Sequence, residues 1–516
     1  MIKNFIIKNR YFDSVMLMSI ANNASKSKGV KNLAAMMATE NNKEVLRNTK
    51  MIDKTGEPAE PNDLLVCIDA EAEEFFEPAL KKFKELLENK SAAEDKSDKI
   101  ELTSVSDGIK EFSDSNLVIF SIPGPFVKRE AKLALTAGKN VMIFSDNVTV
   151  QEELELKQFA REKGLIVMGP DCGTAIINGK GLAFANAIPI GKIGIIGASG
   201  TGIQQVSCIL ANKGYGVKHA IGLGGRDLSK QIGGISMLTA LDAMEKDGDI
   251  ELVILISKPP FPEVEKKIFD RLKNYKKKVV VNFLKGDESE CKKRRIPFAA
   301  TLETAANLAI SVLENKPFEQ KEFDSDKKEI DKTVKSARDK IGTSKYVRGL
   351  YSGGTLCDEA LFIMSQFGLE VYSNIPLSPE LKLKNANESY KNSLIDLGDD
   401  EFTKGRPHPM IDYTLRCKRI VQESEKKDTG IILLDIVTGF GSHLNPAEPL
   451  EEAIKQSLKN NPNLVFVASI CGADNDIQNI KEIRKKLQKL GVILMPTNSQ
   501  AAKLTVLILK GKVAAV

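Results

Sequence analysis

Two glycine-rich segments follow apolar runs and precede amphipathic stretches, which is the arrangement of a phosphate-binding loop. The first is Gly197-Ala-Ser-Gly-Thr-Gly202 and the second is Ser352-Gly-Gly-Thr355. The first-turn N–H groups of a helix have no partner inside the helix, and the helix dipole makes that end positive. Glycines allow an anion to approach these groups closely. We therefore predict phosphate at the first loop and a second anionic group at the other, with the binding residues Ser199, Gly200, Thr201, Gly202, Ser352, Gly353, Gly354 and Thr355.

A tight structural turn would explain either loop alone about as well, but the two loops belong to an internal repeat. The offset that relates Gly200 to Gly354 also relates Gly214 to Gly368, and the apolar positions of the following helices match. Residues 190–315 and 345–516 are therefore predicted to be two copies of one doubly wound unit.

Other candidate residues lie in loops after predicted strands, where ligands bind in open α/β sheets. His408 is a candidate for proton transfer or carbonyl polarisation, and Asp171 is a second catalytic candidate. Arg226 has the donor geometry to bind a carboxylate, although an exposed loop arginine needs no such role. The remaining predicted substrate contacts, for which simple turn chemistry is the alternative, are Gly224, Gly225, Thr438, Gly439 and His443.

Short β-rich runs alternate with amphipathic helical stretches along most of the chain, which predicts an α/β fold with parallel sheets. The predicted strands are nearly all apolar, as strands buried on both faces are; they are Leu117–Ser121, Val141–Ser145, Leu165–Met168, Ile193–Ile196, Leu252–Ile256, Val279–Phe283, Ile431–Ile436 and Leu464–Ala468. A further strand is predicted at Leu64–Ile68. The charged stretches Asn89–Lys99 and 316–344 are predicted linkers, the second containing an exposed helix.

Composition excludes several classes of protein. The net charge of +5 balances 74 basic against 69 acidic residues, so nucleic acid is not expected as a partner. Seven scattered cysteines without a C-x-x-C pair predict neither a zinc cluster nor a disulfide framework, and they favour the reducing cytoplasm. No apolar run is long enough to span a membrane. Mg²⁺ is the one candidate cofactor, with an acidic group as its ligands: Asp396, Asp399, Asp400 and Glu401.

Several segments resemble succinyl-CoA synthetase. Ser115–Gly179, with Ile122-Pro-Gly-Pro-Phe126 and Gly169-Pro-Asp-Cys-Gly173, resembles the CoA-binding domain of the α subunit. Lys192–Gly225 resembles the ligase domain of the same subunit. The resemblance implies a Rossmann-like domain over residues 101–189 and a first flavodoxin-like domain over 190–315.

The second repeat, with Leu394–Glu401 and Ile431–His443, is similar to the carboxy-terminal ligase domain of the β subunit, and implies a flavodoxin-like domain over 345–516. The arrangement as a whole, including Gly405-Arg-Pro-His-Pro409, resembles the FdrA family over essentially the full chain. Residues 1–100 are expected to form a small α/β unit.

The resemblance to FdrA implies an oxamate carbamoyltransferase subunit that acts with other protein subunits. That reaction interconverts oxalurate plus phosphate with oxamate plus carbamoyl phosphate, in allantoin breakdown. The expected partners are thus a small carboxylate, an acyl or carbamoyl phosphate, and other subunits or further copies of the chain.

The sequence departs from the synthetase pattern in three respects. Residues 1–100 lack a glycine loop for CoA phosphates, Lys258–Thr301 contains no histidine to carry a phosphoryl group, and no Walker-type loop is present. These departures argue against CoA and favour a ready-made acyl phosphate. Two alternatives remain open: an acyl-CoA synthetase that uses nucleotide bound by another subunit, and a non-catalytic scaffold.

Overall fold

The computed structural model of the chain describes residues 1–10, 12, 14–49, 51–94, 102–403 and 406–511. The chain divides into two compact units, Met1–Thr103 and the residues from Ser104 onward apart from a short segment at Lys404–Arg406. Part of the linker predicted at Asn89–Lys99 lies outside the described residues. Within the described residues, no helix combines the length and apolar character needed to cross a membrane.

The first unit is an antiparallel three-stranded sheet in the order β1-β3-β2 with three helices. Its elements are β1 (Ile2–Ile7), α1 (Ser14–Ala24), β2 (Val30–Met37), α2 (Glu40–Asn48), β3 (Leu64–Ala70) and α3 (Phe76–Glu94). The central strand β3 is the predicted one, and side chains of α1 and α3 pack with it in an apolar cluster that includes Leu17 and Phe83. A second cluster joins Leu46 of α2 to Cys67 and Leu65 of β3, so both faces of the sheet are covered.

The second unit begins with a small parallel sheet in the order β4-β5-β6. Its elements are α4 (Val105–Glu111), β4 (Leu117–Phe120), α5 (Gly124–Thr136), β5 (Asn140–Ile143), α6 (Val150–Glu162) and β6 (Val167–Met168). β4 and β6 lie within segments predicted as apolar strands, and β5 begins one residue before its predicted segment.

The first repeat forms a six-stranded sheet in the order β12-β11-β9-β10-β7-β8. Its elements are β7 (Thr174–Ile177), β8 (Lys180–Ala183), β9 (Ile193–Gly197), α7 (Gly200–Asn212), β10 (Val217–Gly222), α8 (Ile235–Lys246), β11 (Leu252–Ser257), α9 (Pro262–Leu272), β12 (Lys278–Phe283), α10 (Ser289–Arg294) and α11 (Leu302–Glu314). Strands β9 to β12 are parallel, as predicted. The hairpin β7–β8, which the sequence placed in the preceding domain, pairs antiparallel with β10 and extends this sheet.

The charged linker contains α12 (Lys327–Ile341) and leads into the second repeat, a five-stranded parallel sheet in the order β14-β13-β15-β16-β17. The elements of this repeat are β13 (Tyr346–Tyr351), α13 (Gly354–Gln366), β14 (Ser393–Asp396), α14 (Asp400–Thr403), α15 (Thr414–Ser424), β15 (Thr429–Val437), α16 (Ala447–Asn460), β16 (Val465–Cys471), α17 (Ile480–Lys489), β17 (Ile493–Met495) and α18 (Asn498–Lys510). The α/β class with several parallel sheets is confirmed.

The two repeats share one core. A single apolar cluster contains Ile203 and Leu210 of α7 together with Leu356 and Ala360 of α13. Buried polar contacts cross the same boundary, since Glu359 of α13 accepts the Leu302 N–H of α11 at 2.7 Å. The repeats are thus held against each other by both apolar packing and buried hydrogen bonds.

A buried ion triad fixes the small parallel sheet to the first repeat. The Lys157 ammonium of α6 contacts Glu153 Oε1 and Asp227 Oδ1, each at 2.8 Å, and donates to the Leu223 carbonyl at 3.0 Å. Asp227 in turn accepts the Ser236 and Met237 N–H groups at the start of α8. Lys157 is 1% exposed, so its charge depends on these partners.

We expect Lys157→Met to lower the free energy of unfolding by about 3–5 kcal/mol, because it leaves the buried Asp227 carboxylate without its cation and leaves Glu153 with Arg226 alone. Urea unfolding of the whole chain measures the loss. The matched control is Lys128→Met, which removes the partly exposed pair with Glu155 at 2.7 Å and should cost less than about 1 kcal/mol. Equal losses in the two variants would contradict the assignment.

Candidate active site

The two predicted anion loops meet at one place. Ser199 caps α7, since its Oγ accepts the Gly202 N–H at 3.0 Å, and the same Oγ lies 2.6 Å from Thr355 Oγ1 at the start of α13. A Cβ added at Gly353 would lie 2.9 Å from Thr201 Cγ2. The positive N-terminal ends of two helices, each of 13 residues, are thus adjacent. The loops form one site instead of two separate ones.

The second loop already holds an anion, the Asp435 carboxylate. Its Oδ1 accepts the Ser352 N–H at 2.8 Å, and its Oδ2 accepts the Gly353 N–H at 2.8 Å and the Ser352 hydroxyl at 3.1 Å. Arg416 Nη2 balances the carboxylate from the other side at 2.7 Å, and both side chains are fully buried. The expectation of an external anion at Ser352 and Gly353 is therefore corrected: these amides are saturated by the protein's own carboxylate.

The first repeat has no counterpart of Asp435. Parallel pairing places Leu255 beside Ile196 in the first repeat and Leu434 beside Leu350 in the second, and these are matching positions. The next residue is Ile256 in the first repeat and Asp435 in the second. The Ile256 carbonyl accepts the Ala198 N–H at 3.0 Å, but its side chain offers no acceptor, so the start of α7 has no carboxylate partner of this kind.

His408 lies at the second loop as a neutral hydrogen-bond donor. Its Nδ1 accepts the Met410 N–H at 3.3 Å, which leaves the ring proton on Nε2. The Nε2 atom is 2.9 Å from the point where a Cβ on residue 398 would sit, and the Ser352 carbonyl oxygen is 3.0 Å from that point. Burial lowers the pKa of His408 to about 4, against the opposing effect of Asp435. The imidazole is therefore uncharged at neutral pH.

Asp396 is a buried carboxyl beside His408 that sequence reasoning considered only as a magnesium ligand. Its Oδ1 accepts the Gly398 N–H at 2.9 Å, and its Oδ2 lies 2.6 Å from the point that a Cβ on Gly354 would occupy. Burial raises the pKa of Asp396 to about 7, with a smaller contribution from the Asp399 and Asp435 charges. A carboxyl of this kind exchanges a proton near neutral pH.

The acidic group does not assemble as a magnesium site. Asp396 faces Gly398 and α13, whereas Asp399 Oδ1 accepts the Glu401 N–H at 3.1 Å at the start of α14. Among the residues described by the structure, no group of three or more histidine, cysteine or acidic side chains is arranged to hold a metal ion. The Mg²⁺ expectation therefore gains no support from the geometry.

Asp171 lies in a tight loop with a left-handed backbone, φ 57°. Loss of water around its carboxyl, followed by the charges of Asp400 and Asp146, raises the pKa of Asp171 to about 6, although the residue as a whole stays exposed. The charge of Asp400 reaches it from α14, near His408. Asp171 is thus a second carboxyl at this end of the sheets that titrates close to neutral pH.

Arg226 is held by protein partners. Its Nε donates to Glu153 at 2.9 Å and its Nη2 donates to the Val148 carbonyl at 2.8 Å. Glu153 also belongs to the buried triad of Lys157. A substrate carboxylate would have to compete with these contacts. The predicted role of Arg226 in binding a carboxylate is therefore corrected: the side chain links the loop after β10 to α6.

Of the predicted loop residues in the first repeat, Gly225 borders open space. A Cβ at Gly225 would meet no atom within 4 Å, whereas a Cβ at Gly224, whose φ is 79°, would lie 2.2 Å from the Pro170 carbonyl oxygen. Gly224 is therefore required for close packing of two loops.

The predicted loop residues in the second repeat are tied to the protein itself. Thr438 donates to Asp476 Oδ2 at 2.7 Å, and Gly439 donates to Gln478 at 3.0 Å. His443 Nδ1 accepts the Asn445 N–H at 3.0 Å. These contacts give the three residues partners within the protein.

Three family models match parts of the chain. Residues 1–103 match "AllF, heavy metal-associated domain", residues 189–286 match "CoA binding domain", and residues 350–508 match "CoA-ligase". The CoA-binding match covers the segment that sequence reasoning treated as ligase-type, and it contains the first anion loop. The lone cysteine of residues 1–103, Cys67, is fully buried, and burial raises its pKa to about 12.

Similar proteins include CoA ligases over part of the chain. The α subunit 2 of an ADP-forming succinate–CoA ligase from Archaeoglobus fulgidus is 28% identical over 30% of this chain and 53% of its own length. The malate–CoA ligase α subunit of Methylorubrum extorquens is 28% identical over 35% of this chain and 62% of its own. Among solved structures, a dinucleotide-forming acetyl-coenzyme A synthetase 1 from Ca. Korarchaeum cryptofilum covers 80% of this chain and 86% of its own, at 16% identity and a TM-score of 0.35.

Nearly the whole chain is matched by "Uncharacterized protein YahF" of Escherichia coli (strain K12), which is 41% identical over 98% of both chains. The ligase matches place the two repeats in the succinyl-CoA synthetase-like group. The chain therefore belongs to the family of YahF, a family of succinyl-CoA synthetase-like proteins.

Proposed function

We propose that this chain is an FdrA-type subunit of a carbamoyltransferase that holds phosphate at the α7 N-terminus. The reaction is the phosphorolysis of oxalurate, in which a phosphate oxygen attacks the carbamoyl carbon, the C–N bond breaks and oxamate leaves with a proton on its nitrogen. The observation that carries the proposal is the contact between Ser199 and Thr355, which joins two helix N-termini while Asp435 accepts the Ser352 and Gly353 amides that precede the second helix. One position for an external anion remains.

Phosphate at this position would meet the Gly200 and Thr201 amides of the first turn of α7 and the one hydroxyl proton that the Ser199–Thr355 pair does not use internally. Two adjacent positive helix ends are mutually unfavourable, and an anion between them relieves that repulsion. In the reverse direction phosphate is the leaving group, and the same groups stabilise the charge that develops on its oxygen as the bond to the carbamoyl carbon breaks.

His408 has the properties of a donor to the carbamoyl oxygen. Its proton is on Nε2 because Nδ1 accepts the Met410 N–H. A neutral imidazole held in this way stabilises negative charge on a carbonyl oxygen and does not itself give up a full proton. The same geometry argues against a phosphohistidine, since the Nε2 lone pair needed for attack is occupied by the proton.

Asp396 can supply the proton that the leaving nitrogen of oxamate requires. Its raised pKa, about 7, keeps a large fraction of the carboxyl protonated near neutral pH. General acids work best when their pKa lies near the working pH.

An acyl-CoA synthetase is the second candidate, and the matches to CoA-binding and CoA-ligase families favour it. A synthetase of this type needs a nucleophile that carries the phosphoryl group. The chain has three histidines, and His219 and His443 are engaged with Asp247 and Asn445 respectively. This chemistry would therefore require a nucleophile other than His408 in the tautomer described here.

The direct test is a phosphorolysis assay with the chain and its co-purified partner subunits. Oxalurate and phosphate should yield carbamoyl phosphate without CoA, whereas ATP, CoA and succinate in a parallel reaction should yield no thioester. Thioester formation without carbamoyl phosphate would replace the transferase with the synthetase. Absence of both products, together with no phosphate binding, would leave the scaffold role.

We expect Ser199→Ala to raise the KM for phosphate by about tenfold or more, because one hydroxyl donor and the α7 cap are lost together. The matched control is Thr149→Ala, which removes the cap of α6 at an exposed site and should reduce stability by about 1 kcal/mol while leaving that KM unchanged. Steady-state kinetics at varied phosphate measure both variants. A rise of equal size in the control would show that the effect is one of stability.

We expect His408→Phe to lower kcat about 10²- to 10³-fold with little change in the KM for phosphate, since a donor used only in the transition state is lost. His408→Gln should retain more activity because its amide can donate. Since burial holds the pKa of His408 near 4, the wild-type rate should lack a histidine step near the ordinary value. A step near pH 6.5 that disappears in His408→Gln would refute the neutral-donor role.

A further inference from the structure

A cavity of about 530 Å³ opens beside the α7 N-terminus at the carboxyl ends of β9, β10 and β11. Ala198, directly before the cap Ser199, forms part of its wall. Ser257, the last residue of β11, and Gly225, in the loop after β10, form other parts. Ligands of open α/β sheets bind at such strand ends. The cavity therefore adjoins the position proposed for phosphate.

The walls combine apolar surface with positive charge. Leu228 and the Pro259–Pro262 segment supply the apolar surface, and Lys258 supplies an ammonium. Lys230 contacts one of the lining residues, with its Nζ 5.6 Å from the centre of the Phe261 ring. Among the described residues that line the cavity, none is acidic. This composition suits a small organic anion.

Lys258 is free to take a second partner. Its Nζ lies 3.3 Å from Asp358 Oδ2 on α13, and its side chain is 63% exposed. Asp358 is buried and has another cation, because Lys285 binds its other oxygen. Two lysines around one carboxylate leave a net positive charge, and an ammonium has three donors. Lys258 thus links the cavity to the second repeat without being required to neutralise Asp358.

We propose that this cavity binds the carboxylate-bearing half of the substrate, with the carboxylate paired to Lys258 and the body of the acid against the Pro259–Pro262 wall. The assignment rests on the proposed function for its choice of ligand, a small carboxylic acid whose acyl or amide end reaches the phosphate site. It replaces the role that sequence reasoning gave to Arg226, which is held by Glu153 and Val148.

Gly225 provides a steric test of the cavity. A side chain there would project into open space without meeting protein atoms, so Gly225→Leu should fill the cavity and leave the loop intact. The matched control is Gly248→Leu, because a Cβ at Gly248 also meets no atom within 4 Å but lies in an exposed turn before β11, whereas the cavity lies at the carboxyl end of that strand.

The experiment measures binding of oxamate, succinate and inorganic phosphate separately to the full chain by calorimetry. We expect Lys258→Met to weaken binding of the carboxylate about 10- to 100-fold, as loss of a charged hydrogen bond does, and to leave phosphate binding unchanged. Gly225→Leu should abolish carboxylate binding, and Gly248→Leu should change nothing. The wild-type and the Gly248 variant set the reference affinity.

Two results would overturn the proposal: carboxylate binding that is equal in wild-type, Lys258→Met and Gly225→Leu, or no binding of either carboxylate to the wild-type chain. The outcome is separable from that of the carbamoyltransferase. Carboxylate binding that depends on Lys258 in an enzyme forming no carbamoyl phosphate would support the cavity and remove the transferase reaction. Phosphorolysis that is unchanged in Lys258→Met and Gly225→Leu would support the transferase reaction and remove the cavity proposal.

Discussion

The candidate site depends on two helices being held with their positive ends together. The N-termini of α7 and α13 meet through the Ser199–Thr355 contact, an arrangement that electrostatics alone disfavours. The shared apolar core of the repeats compensates for it, and Asp435, itself paired with Arg416, accepts the two amides that precede α13. Apolar packing thus maintains a positive electrostatic potential where the two helix N-termini meet.

The symmetry of the repeat is broken by one residue in a central strand. Asp435 in β15 supplies the second loop with its own carboxylate, whereas Ile256 occupies the matching place in the first repeat. A buried carboxylate needs a cation and several donors, and Arg416 with the Ser352 and Gly353 amides provides both. The two matching loops therefore differ in one respect: the second has its own carboxylate at the Ser352 and Gly353 amides, and the first has none.

Much of the fold could be predicted from the sequence, because buried parallel strands are continuous apolar runs and the loops carry glycine at fixed offsets. The site could be predicted only in part. Asp435 stands inside an apolar run, and a charged residue in such a run indicates a buried partner, yet nothing local identifies Arg416. For Arg226 the loop context indicated exposure and substrate contact. Its partners, Glu153 on α6 and the Val148 carbonyl before α6, are distant in sequence and could not be identified locally. The pairing of the hairpin β7–β8 with the neighbouring sheet could not be predicted for the same reason, since strand pairing across a domain boundary leaves no local signal.

The hydrogen bonding of His408 fits a donor in acyl-group transfer and does not fit a histidine that becomes phosphorylated. A histidine that carries a phosphoryl group must present an unprotonated nitrogen to the phosphorus atom, and here the Met410 N–H takes the Nδ1 lone pair while the proton sits on Nε2. Burial also lowers the pKa of His408, so the ring does not carry the positive charge that would stabilise an attached phosphoryl group. What remains is a neutral donor next to a carboxyl with a pKa of about 7, both within reach of a helix N-terminus. These two groups can stabilise an oxyanion and deliver a proton when a mixed anhydride forms or is cleaved. That chemistry needs no covalent intermediate on the protein.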